Sequence, residues 1–158
     1  MVYRIVDVSP EHIASIEELE KLCFSSPWTR DQLKKQMKDP MHEFIAAISD
    51  DGRVLGYVGM MYVLDEGYIA NVAVSPEHRR MGIADKIINE LCVICDGLKL
   101  SFVTLEVRAS NIAAISLYAK HGFEQVGRRK NYYDLPKEDA ILMTKFLNRG
   151  NELENTCI

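Results

Sequence analysis

Apolar and polar residues follow a helical period in some segments of the chain and alternate in others. Residues 3–7 alternate weakly, which predicts a short strand, and the apolar residues from 13 to 23 recur at helical spacing. A second helix over residues 30–37 is predicted by a capping box, because the Thr29 hydroxyl and the Gln32 side chain can each satisfy a backbone amide of the other residue. The chain therefore opens with one strand and two helices.

After the second helix the pattern becomes that of extended chain. Residues 43–49 and 54–63 predict a hairpin. A turn at residues 65–67 then leads into a strand over residues 68–74, which is strictly alternating. This segment therefore predicts three successive strands.

The second half of the chain alternates helices with strands. The longest helical pattern covers residues 82–96, with an apolar ridge and a polar outer face. Residues 102–107 are apolar at nearly every position, which predicts a central strand covered on both sides. A helix capped by Asn111 follows, and two closing strands are predicted over residues 123–133 and 140–146.

This order of elements predicts an α/β (α+β) fold, in which one mixed sheet carries helices on both faces. The chain has 158 residues, of which 47% are hydrophobic, which is enough for one domain with its own core. We expect that domain to span residues 1–147. Residues 148–158 are polar and lack any period, so they are predicted to be a frayed tail.

Net charge, hydropathy and cysteine content argue against some classes of function. The net charge is −4, so no general basic footprint for nucleic acid is present, and a cationic partner suits the chain better. No apolar stretch is long enough to span a membrane, and a charge follows too early for a signal peptide. Without an export signal, the four cysteines predict reduced thiols in a cytoplasmic protein.

The cysteines and histidines do not predict a metal site. Cys92 and Cys95 lie inside the longest predicted helix, on its buried side, which favours small core residues over a redox or metal pair. The four histidines are scattered without metal-ligand spacing. We therefore expect no metal cofactor.

The most informative motif is the turn that precedes the longest predicted helix. Arg79 and Arg80 are followed by Gly82 and Ala84, so a basic turn leads into a helix start with two small residues. Helix N-termini attract phosphate, and two arginines there have the wrong sign for the helix dipole unless an anion binds. The spacing excludes a P-loop and a dinucleotide fingerprint. A surface turn with two solvated arginines is the alternative.

The segment Arg79-Arg80-Met81-Gly82-Ile83-Ala84 resembles the acetyl-CoA loop of the GNAT acetyltransferases, Gln/Arg-x-x-Gly-x-Gly/Ala. The resemblance covers residues 3–147, includes the segments 105–111, 114–118 and 129–133, and is strongest to the ribosomal-protein-alanine N-acetyltransferase branch. It implies a GNAT-like mixed twisted sheet of about six to seven strands with helices on both faces. It also implies a V-shaped splay between the fourth and fifth strands, which acetyl-CoA enters.

The resemblance implies direct transfer of an acetyl group from acetyl-CoA to a protein N-terminus. The acceptor it implies is the N-terminal alanine of small-subunit ribosomal protein eighteen, with no nucleic-acid or membrane partner. Acetylation of other N-termini, of lysine or of small amines stays open, as does a non-catalytic CoA-binding module. The cofactor contacts that carry over are Val72, Ala73, Val74, Arg79, Arg80, Met81, Gly82, Ile83, Ala84, Asp85 and Asn111.

Two residues are candidates for the proton transfers that acetyl transfer needs. Glu106 lies in an otherwise apolar strand, where desolvation would raise the pKa of a carboxyl and suit a general base, acting directly or through water. A carboxylate tied to Arg108 or to a backbone amide is the alternative. Tyr118 is the candidate acid for the leaving thiolate, and a core tyrosine is its alternative. The Val74 amide is the candidate oxyanion donor.

Acceptor recognition is predicted at residues 24–28 and at the last hairpin. Trp28 is either a contact for the acceptor or an ordinary packing anchor. Tyr132 and Tyr133 either line a slot for a peptide N-terminus or pack on the sheet. The nearby carboxylates of Glu138 and Asp139 would attract a basic peptide.

Overall fold

The computed structural model describes residues 2–147. The predicted tail, including Cys157, lies outside the described residues. Within that range the elements, in chain order, are β1 Tyr3–Asp7, α1 Ile13–Cys23, α2 Arg30–Lys38, β2 His42–Ser49, β3 Val54–Val63, β4 Glu66–Val74, α3 Ile83–Gly97, β5 Phe102–Arg108, α4 Ile112–Lys120, β6 Glu124–Asp134 and β7 Lys137–Phe146. Short 3-10 helices at Pro10–His12 and Pro76–His78 precede α1 and α3.

The strands are hydrogen-bonded in the order β1-β2-β3-β4-β5-β7-β6, which confirms the mixed seven-stranded sheet. β4 and β5 are parallel, whereas the pairs β1–β2, β2–β3, β5–β7 and β6–β7 are antiparallel. The β4–β5 pairing is confined to Glu66, Gly67 and Tyr68, which face residues 102–104. Pairing therefore stops partway along both strands, as a splay between the fourth and fifth strands requires.

The chain divides into two compact units. The first contains the residues up to Tyr62 together with Ile69–Leu91, and the second contains Val63–Tyr68 and the residues from Cys92 onward. In the first unit, α1 and α2 bury the apolar stripes that the helical period predicts. They pack with the inward residues of β2 and β3 in a core that includes Ile13, Ile16, Leu19, Leu33, Phe44, Ile48 and Tyr57.

In the second unit, β5 alternates strictly in burial, which corrects the prediction that both of its faces are covered. Val103, Leu105 and Val107 are buried, whereas Thr104 and Glu106 on the other face are only partly buried. The strand is central, since β4 and β7 both pair with it. Its second face stays partly open because it carries polar side chains.

Two predicted boundaries are wrong by a few residues. The turn before β4 is shorter than predicted, because Leu64 takes a left-handed backbone conformation with φ 55° and Glu66 already pairs with Phe102. β7 begins at Lys137 instead of Ala140, since the β6–β7 turn consists of residues 135 and 136 alone. No helix in the described range is long and apolar enough to cross a membrane.

Candidate active site

The turn between β4 and α3 contains two residues with left-handed backbone conformation. Arg80 has φ 63° and Gly82 has φ 78°. Left-handed residues in a turn redirect the backbone N–H groups, and such turns can form a concave binding surface for an anion. A Cβ placed on Gly82 would meet no atom within 4 Å, so the backbone conformation, and not crowding, requires glycine here.

The N-terminus of α3 adds further donors to this turn. The Lys86 N–H donates to the Gly82 carbonyl at 3.1 Å, so the amides of residues 83–85 precede the first bond of the helix. Ile83 is buried and anchors the first turn, while Met81 and Arg80 are exposed. The predicted pyrophosphate loop is therefore a basic turn that ends at a helix N-terminus, as the motif indicates.

The end of β4 presents one free edge within the first unit. The Ser75 N–H donates to the Leu55 carbonyl of β3 at 2.8 Å. Because amides alternate in direction along a strand, the Val74 N–H faces away from β3. The Val74 carbonyl accepts from Arg79 Nε at 3.3 Å and from the Cys23 thiol at 3.5 Å. The role of the Val74 amide as a donor for an oxyanion stays a prediction.

Glu106 lies at the centre of a polar cluster in the second unit. The Tyr68 hydroxyl donates to Glu106 Oε2 at 2.5 Å, and Arg129 Nε lies 3.4 Å from Oε1. The Glu106 side chain is 11% exposed. Arg108, which the alternative names as a partner of Glu106, pairs with Glu138 at 3.3 Å. The role of Glu106 as a base stays a prediction.

Two aromatic side chains predicted to recognise the acceptor belong to the same cluster. Tyr132 and Tyr133 contact each other edge to face with ring centroids 5.0 Å apart. Arg129 lies over the Tyr132 ring, and Arg108 lies 4.3 Å from the centroid of Tyr133. Burial, helped by the neighbouring Tyr132 and Glu106, raises the pKa of Tyr133 to about 12, so its hydroxyl is a neutral donor at physiological pH.

Asn111 precedes α4, and Tyr118 lies within that helix. The Asn111 side chain accepts from the Ala114 N–H at 3.2 Å, which confirms it as the N-cap. Tyr118 is buried, and its ring packs at a tilt against Phe123 with centroids 5.7 Å apart. Burial, and secondarily Tyr133, raises the pKa of Tyr118 well above the ordinary tyrosine value. It therefore stays protonated and can donate.

Trp28 lies in the first unit, at the end of the segment 24–28. Its indole packs against the core of that unit, and its backbone N–H donates to Glu20 Oε2 at 3.1 Å. The packing interpretation of the indole is therefore confirmed. The proposed contact with the acceptor stays a prediction.

The two carboxylates predicted to attract a basic peptide, those of Glu138 and Asp139, form hydrogen bonds and ion pairs inside the second unit. Glu138 accepts from the Ser110 N–H at 2.5 Å, and Asp139 accepts from the Asn131 N–H at 2.9 Å and from Arg128 at 2.7 Å. These hydrogen bonds hold the pKa values of both carboxyls below their usual range. Both residues therefore stabilise the last hairpin.

Sequence reasoning missed Tyr68, Arg129 and Glu20. Tyr68 and Arg129 reach Glu106 only through strand pairing, for which the sequence has no local signal. Glu20 left a signal, because it stands at an apolar position of the helical period, four residues after Ile16. It is 1% exposed.

The cysteines behave as predicted for small core residues. Cys95 is buried and Cys92 is half-buried, and both are free thiols. Desolvation raises the pKa of each, to about 12 for Cys95, so neither is activated as a nucleophile. Across residues 2–147, no group of three potential metal-ligating side chains is found.

Three comparisons with known proteins bear on this site. The chain matches the acetyltransferase (GNAT) family model over residues 13–123, which includes the basic turn and Glu106. It is 34% identical over 138 residues to a candidate ribosomal protein bS18-alanine N-acetyltransferase of Bacillus subtilis (strain 168), covering 87% of this chain and 91% of the relative. It is 31% identical over 127 residues to the enzyme of that name from Escherichia coli (strain K12), covering 79% and 84% of the two chains.

The comparison of folds agrees with the comparison of sequences. The crystal structure of the ribosomal-protein-S18-alanine N-acetyltransferase from Escherichia coli superposes with a TM-score of 0.84 at 26% identity, covering 92% of this chain and 94% of the other. Sequence and fold similarity therefore extend over nearly all of the described residues.

Proposed function

Because this chain belongs to the GNAT acetyltransferase family, we propose that it transfers the acetyl group of acetyl-CoA to the N-terminal alanine of ribosomal protein bS18. The names of the Bacillus and Escherichia relatives support this acceptor. Transfer to a ribosomal protein would take place in the cytoplasm. Other protein N-termini, lysine side chains and small amines are the competing acceptors.

One observation carries the catalytic part of this proposal. The Glu106 carboxylate is nearly buried, is held by the Tyr68 hydroxyl and lies in one cluster with Tyr132 and Tyr133. A carboxylate among neutral phenols can accept a proton from an incoming amine while the rings enclose a short peptide N-terminus. Tyr132 is 46% exposed, so this cluster is accessible from solvent.

Acetyl-CoA would be bound mainly by the first unit. The backbone amides from Arg80 to Asp85 would hold the diphosphate, with Arg80 adding positive charge. Asp85 in the first turn of α3 opposes an anion, so main-chain contacts dominate there. The main chain of Val72, Ala73 and Val74 would bind the acetyl and pantetheine part, and Asn111 would add a pantetheine contact.

The reaction needs two proton transfers and one stabilised oxyanion. Glu106 removes a proton from the N-terminal ammonium, directly or through water, and the neutral amine attacks the thioester carbonyl. The Val74 amide stabilises the oxyanion that forms. As the C–S bond breaks, the Tyr118 hydroxyl protonates the leaving thiolate. The second proton of the attacking nitrogen, which is lost as the amide forms, returns to Tyr118 through solvent, and the proton on Glu106 passes to solvent. The products are an acetylated N-terminus and CoA.

A peptide panel tests the acceptor. We expect CoA thiol release from acetyl-CoA with a peptide that carries the bS18 N-terminal sequence and begins with alanine. Peptides that begin with serine or methionine should react more slowly. The same peptide with an acetylated N-terminus is the control and should not react. Turnover of that blocked peptide would indicate lysine chemistry, and turnover of small amines without any peptide would contradict the proposed acceptor.

A pair of glycine variants tests the acetyl-CoA site. Gly82 and Gly52 have nearly equal left-handed φ angles, 78° and 84°, and a Cβ at either would meet no atom within 4 Å. Alanine at each should therefore cost the same stability, about 1–2 kcal/mol. Only Gly82→Ala should raise the KM for acetyl-CoA, because Gly52 lies in the β2–β3 turn. An equal KM for acetyl-CoA in both variants would exclude the turn around Gly82 as the diphosphate site.

A further inference from the structure

The first unit contains a buried carboxylate that the proposed reaction does not use. Glu20 of α1 is 1% exposed. Its Oε1 accepts from Asn71 Nδ2 at 2.6 Å and from the Tyr57 hydroxyl, and its Oε2 accepts from the Trp28 N–H at 3.1 Å. Three donors thus meet the two oxygens of one carboxylate. Asn71 also donates to the Tyr57 hydroxyl at 3.1 Å.

This carboxylate stands where the helix pattern calls for an apolar residue. Glu20 follows Ile13 by seven residues and Ile16 by four, so it belongs to the face that α1 buries. Burial of a charge is costly, and a well-packed hydrophobic residue is often at least as stabilising at such a position. The network therefore needs a reason other than stability alone.

The contact to Trp28 gives that reason. Residues 24–28, the acceptor loop, connect the C-terminus of α1 to α2. The first residue is fixed by the bond from the Phe24 N–H to the Glu20 carbonyl at 2.9 Å, and α2 begins with the capping box at Thr29. The last residue is fixed by the Trp28 N–H on the Glu20 carboxylate. Glu20 therefore binds both ends of the loop.

The other partners connect the loop to the sheet. Tyr57 lies on β3, and Asn71 lies on β4 directly before Val72–Val74, the segment proposed to bind the acetyl and pantetheine part. Burial, and then the charge of Glu20, raises the pKa of Tyr57, so its hydroxyl is a permanent donor. One carboxylate thus joins the loop, β3 and β4.

We propose that Glu20 is a positioning residue for acceptor recognition, which holds the acceptor loop against β3 and β4 through the Trp28 amide. The inference rests on the proposed function, because the recognition role of residues 24–28 belongs to it. Glu20 touches neither acetyl-CoA nor the reacting atoms in this proposal. Its effect is on the binding of the peptide acceptor.

The test variant is Glu20→Gln, which keeps the shape of the side chain. An amide has only one acceptor oxygen, so it cannot serve Trp28 on one side and both Tyr57 and Asn71 on the other. We expect the KM for the alanine peptide to rise about tenfold, the factor that corresponds to one lost hydrogen bond to a charged group. The KM for acetyl-CoA and kcat should change little, because Glu20 forms no hydrogen bond to Glu106 or to the residues proposed to bind acetyl-CoA.

A spectroscopic arm follows the loop without any substrate. Trp28 is the only tryptophan of the chain, so intrinsic tryptophan fluorescence reports on this loop alone. Quenching by acrylamide should increase in Glu20→Gln, measured well below the unfolding temperature. The matched control is Glu18→Gln, an exposed glutamate on the same helix, which should leave both quenching and kinetics unchanged.

A conservative variant of a partner gives an intermediate result. Tyr57→Phe removes one donor from Oε1 and leaves the bond from Trp28 to Oε2 intact, so we expect a smaller rise in peptide KM than in Glu20→Gln. Tyr62→Phe, on the same strand, is its control and should have no effect, since that hydroxyl donates to the Pro40 carbonyl.

The outcomes separate the possible explanations. A folded Glu20→Gln variant with unchanged quenching, or with more quenching and an unchanged peptide KM, would overturn the inference. An equal rise in both KM values would also overturn it, since that indicates a general structural role. If the wild-type protein acetylates no peptide, the proposed function fails first, and the fluorescence arm still decides whether Glu20 holds the loop.

Discussion

Two glutamates of this chain have the same kind of partner in very different surroundings. Glu20 in the first unit accepts a hydrogen bond from Tyr57, and Glu106 in the second accepts one from Tyr68. The remaining partners of Glu20 are an amide side chain and a backbone amide, both fixed in the core. The remaining partner of Glu106 is the guanidinium of Arg129, whose side chain is 55% exposed.

The difference in surroundings shows how a hydrogen-bonded tyrosine–glutamate pair can serve two different purposes. Both oxygens of Glu20 accept from donors in the core of the first unit, so this glutamate fixes structure. An ion pair with a half-exposed arginine is worth about 0–1 kcal/mol, so an incoming ammonium can replace Arg129 at Glu106 at little cost. Solvent access and the exposure of the remaining partners therefore distinguish a structural carboxylate from a candidate base.

The strongest test of this comparison is the same substitution at both sites. We expect Glu106→Gln to lower kcat by about 10² to 10⁴, the usual contribution of a general base, and to alter the pH profile of kcat/KM. Its unfolding temperature should change little. Glu20→Gln should instead lower the free energy of unfolding by about 1–3 kcal/mol, because a buried donor loses its partner.

Steady-state kinetics and thermal unfolding of the two variants provide the measurement. The comparison fails if Glu106→Gln keeps full kcat, or if both variants lose stability equally. A Glu106→Asp variant is a useful intermediate. It keeps the carboxylate and shortens its reach, so it should retain part of the rate.

Local chemistry made part of this molecule predictable from sequence. The N-caps at Thr29 and Asn111 are formed as predicted, because each depends only on residues three positions away. The basic turn that leads into α3 is present as the motif of six residues predicts. The helix and strand periods predict the order of elements and the seven strands, because these periods also depend only on nearby residues.

Contacts between distant strands were not predictable in this way. Tyr68 and Glu106 are 38 residues apart in sequence, and Tyr57 and Glu20 are 37 apart. The register of β4 and β5 brings Tyr68 to Glu106, and the packing of α1 against β3 brings Glu20 to Tyr57. Alternation fixes the face of a residue without fixing its neighbour on the next element. For the same reason the sequence predicts Glu138 and Asp139 as attractors of a peptide, since it does not show the residues that pair with them in the structure.

The smallest expected effect concerns the two tyrosines that accompany these glutamates. Burial, followed by contact with the glutamate, raises the pKa of both Tyr57 and Tyr68 above the ordinary tyrosine value. Each contributes stability that is fully present below about pH 10, where the unfolded chain keeps its phenols protonated, and that is lost as the pH rises further. The wild-type protein should therefore lose stability in alkaline solution.

Urea unfolding between about pH 9 and 11 compares the two residues. One tyrosine can contribute a slope of up to about 1.4 kcal/mol per pH unit, and Tyr57→Phe should remove most of that amount because Tyr57 is fully buried. Tyr68 is half-buried and water can stabilise its phenolate, so its slope should level off at a lower pH than that of Tyr57. If the slope for Tyr68 extends to as high a pH as the slope for Tyr57, the cluster around Glu106 is as closed as the one around Glu20, and the distinction between a structural carboxylate and a candidate base would lose its physical basis.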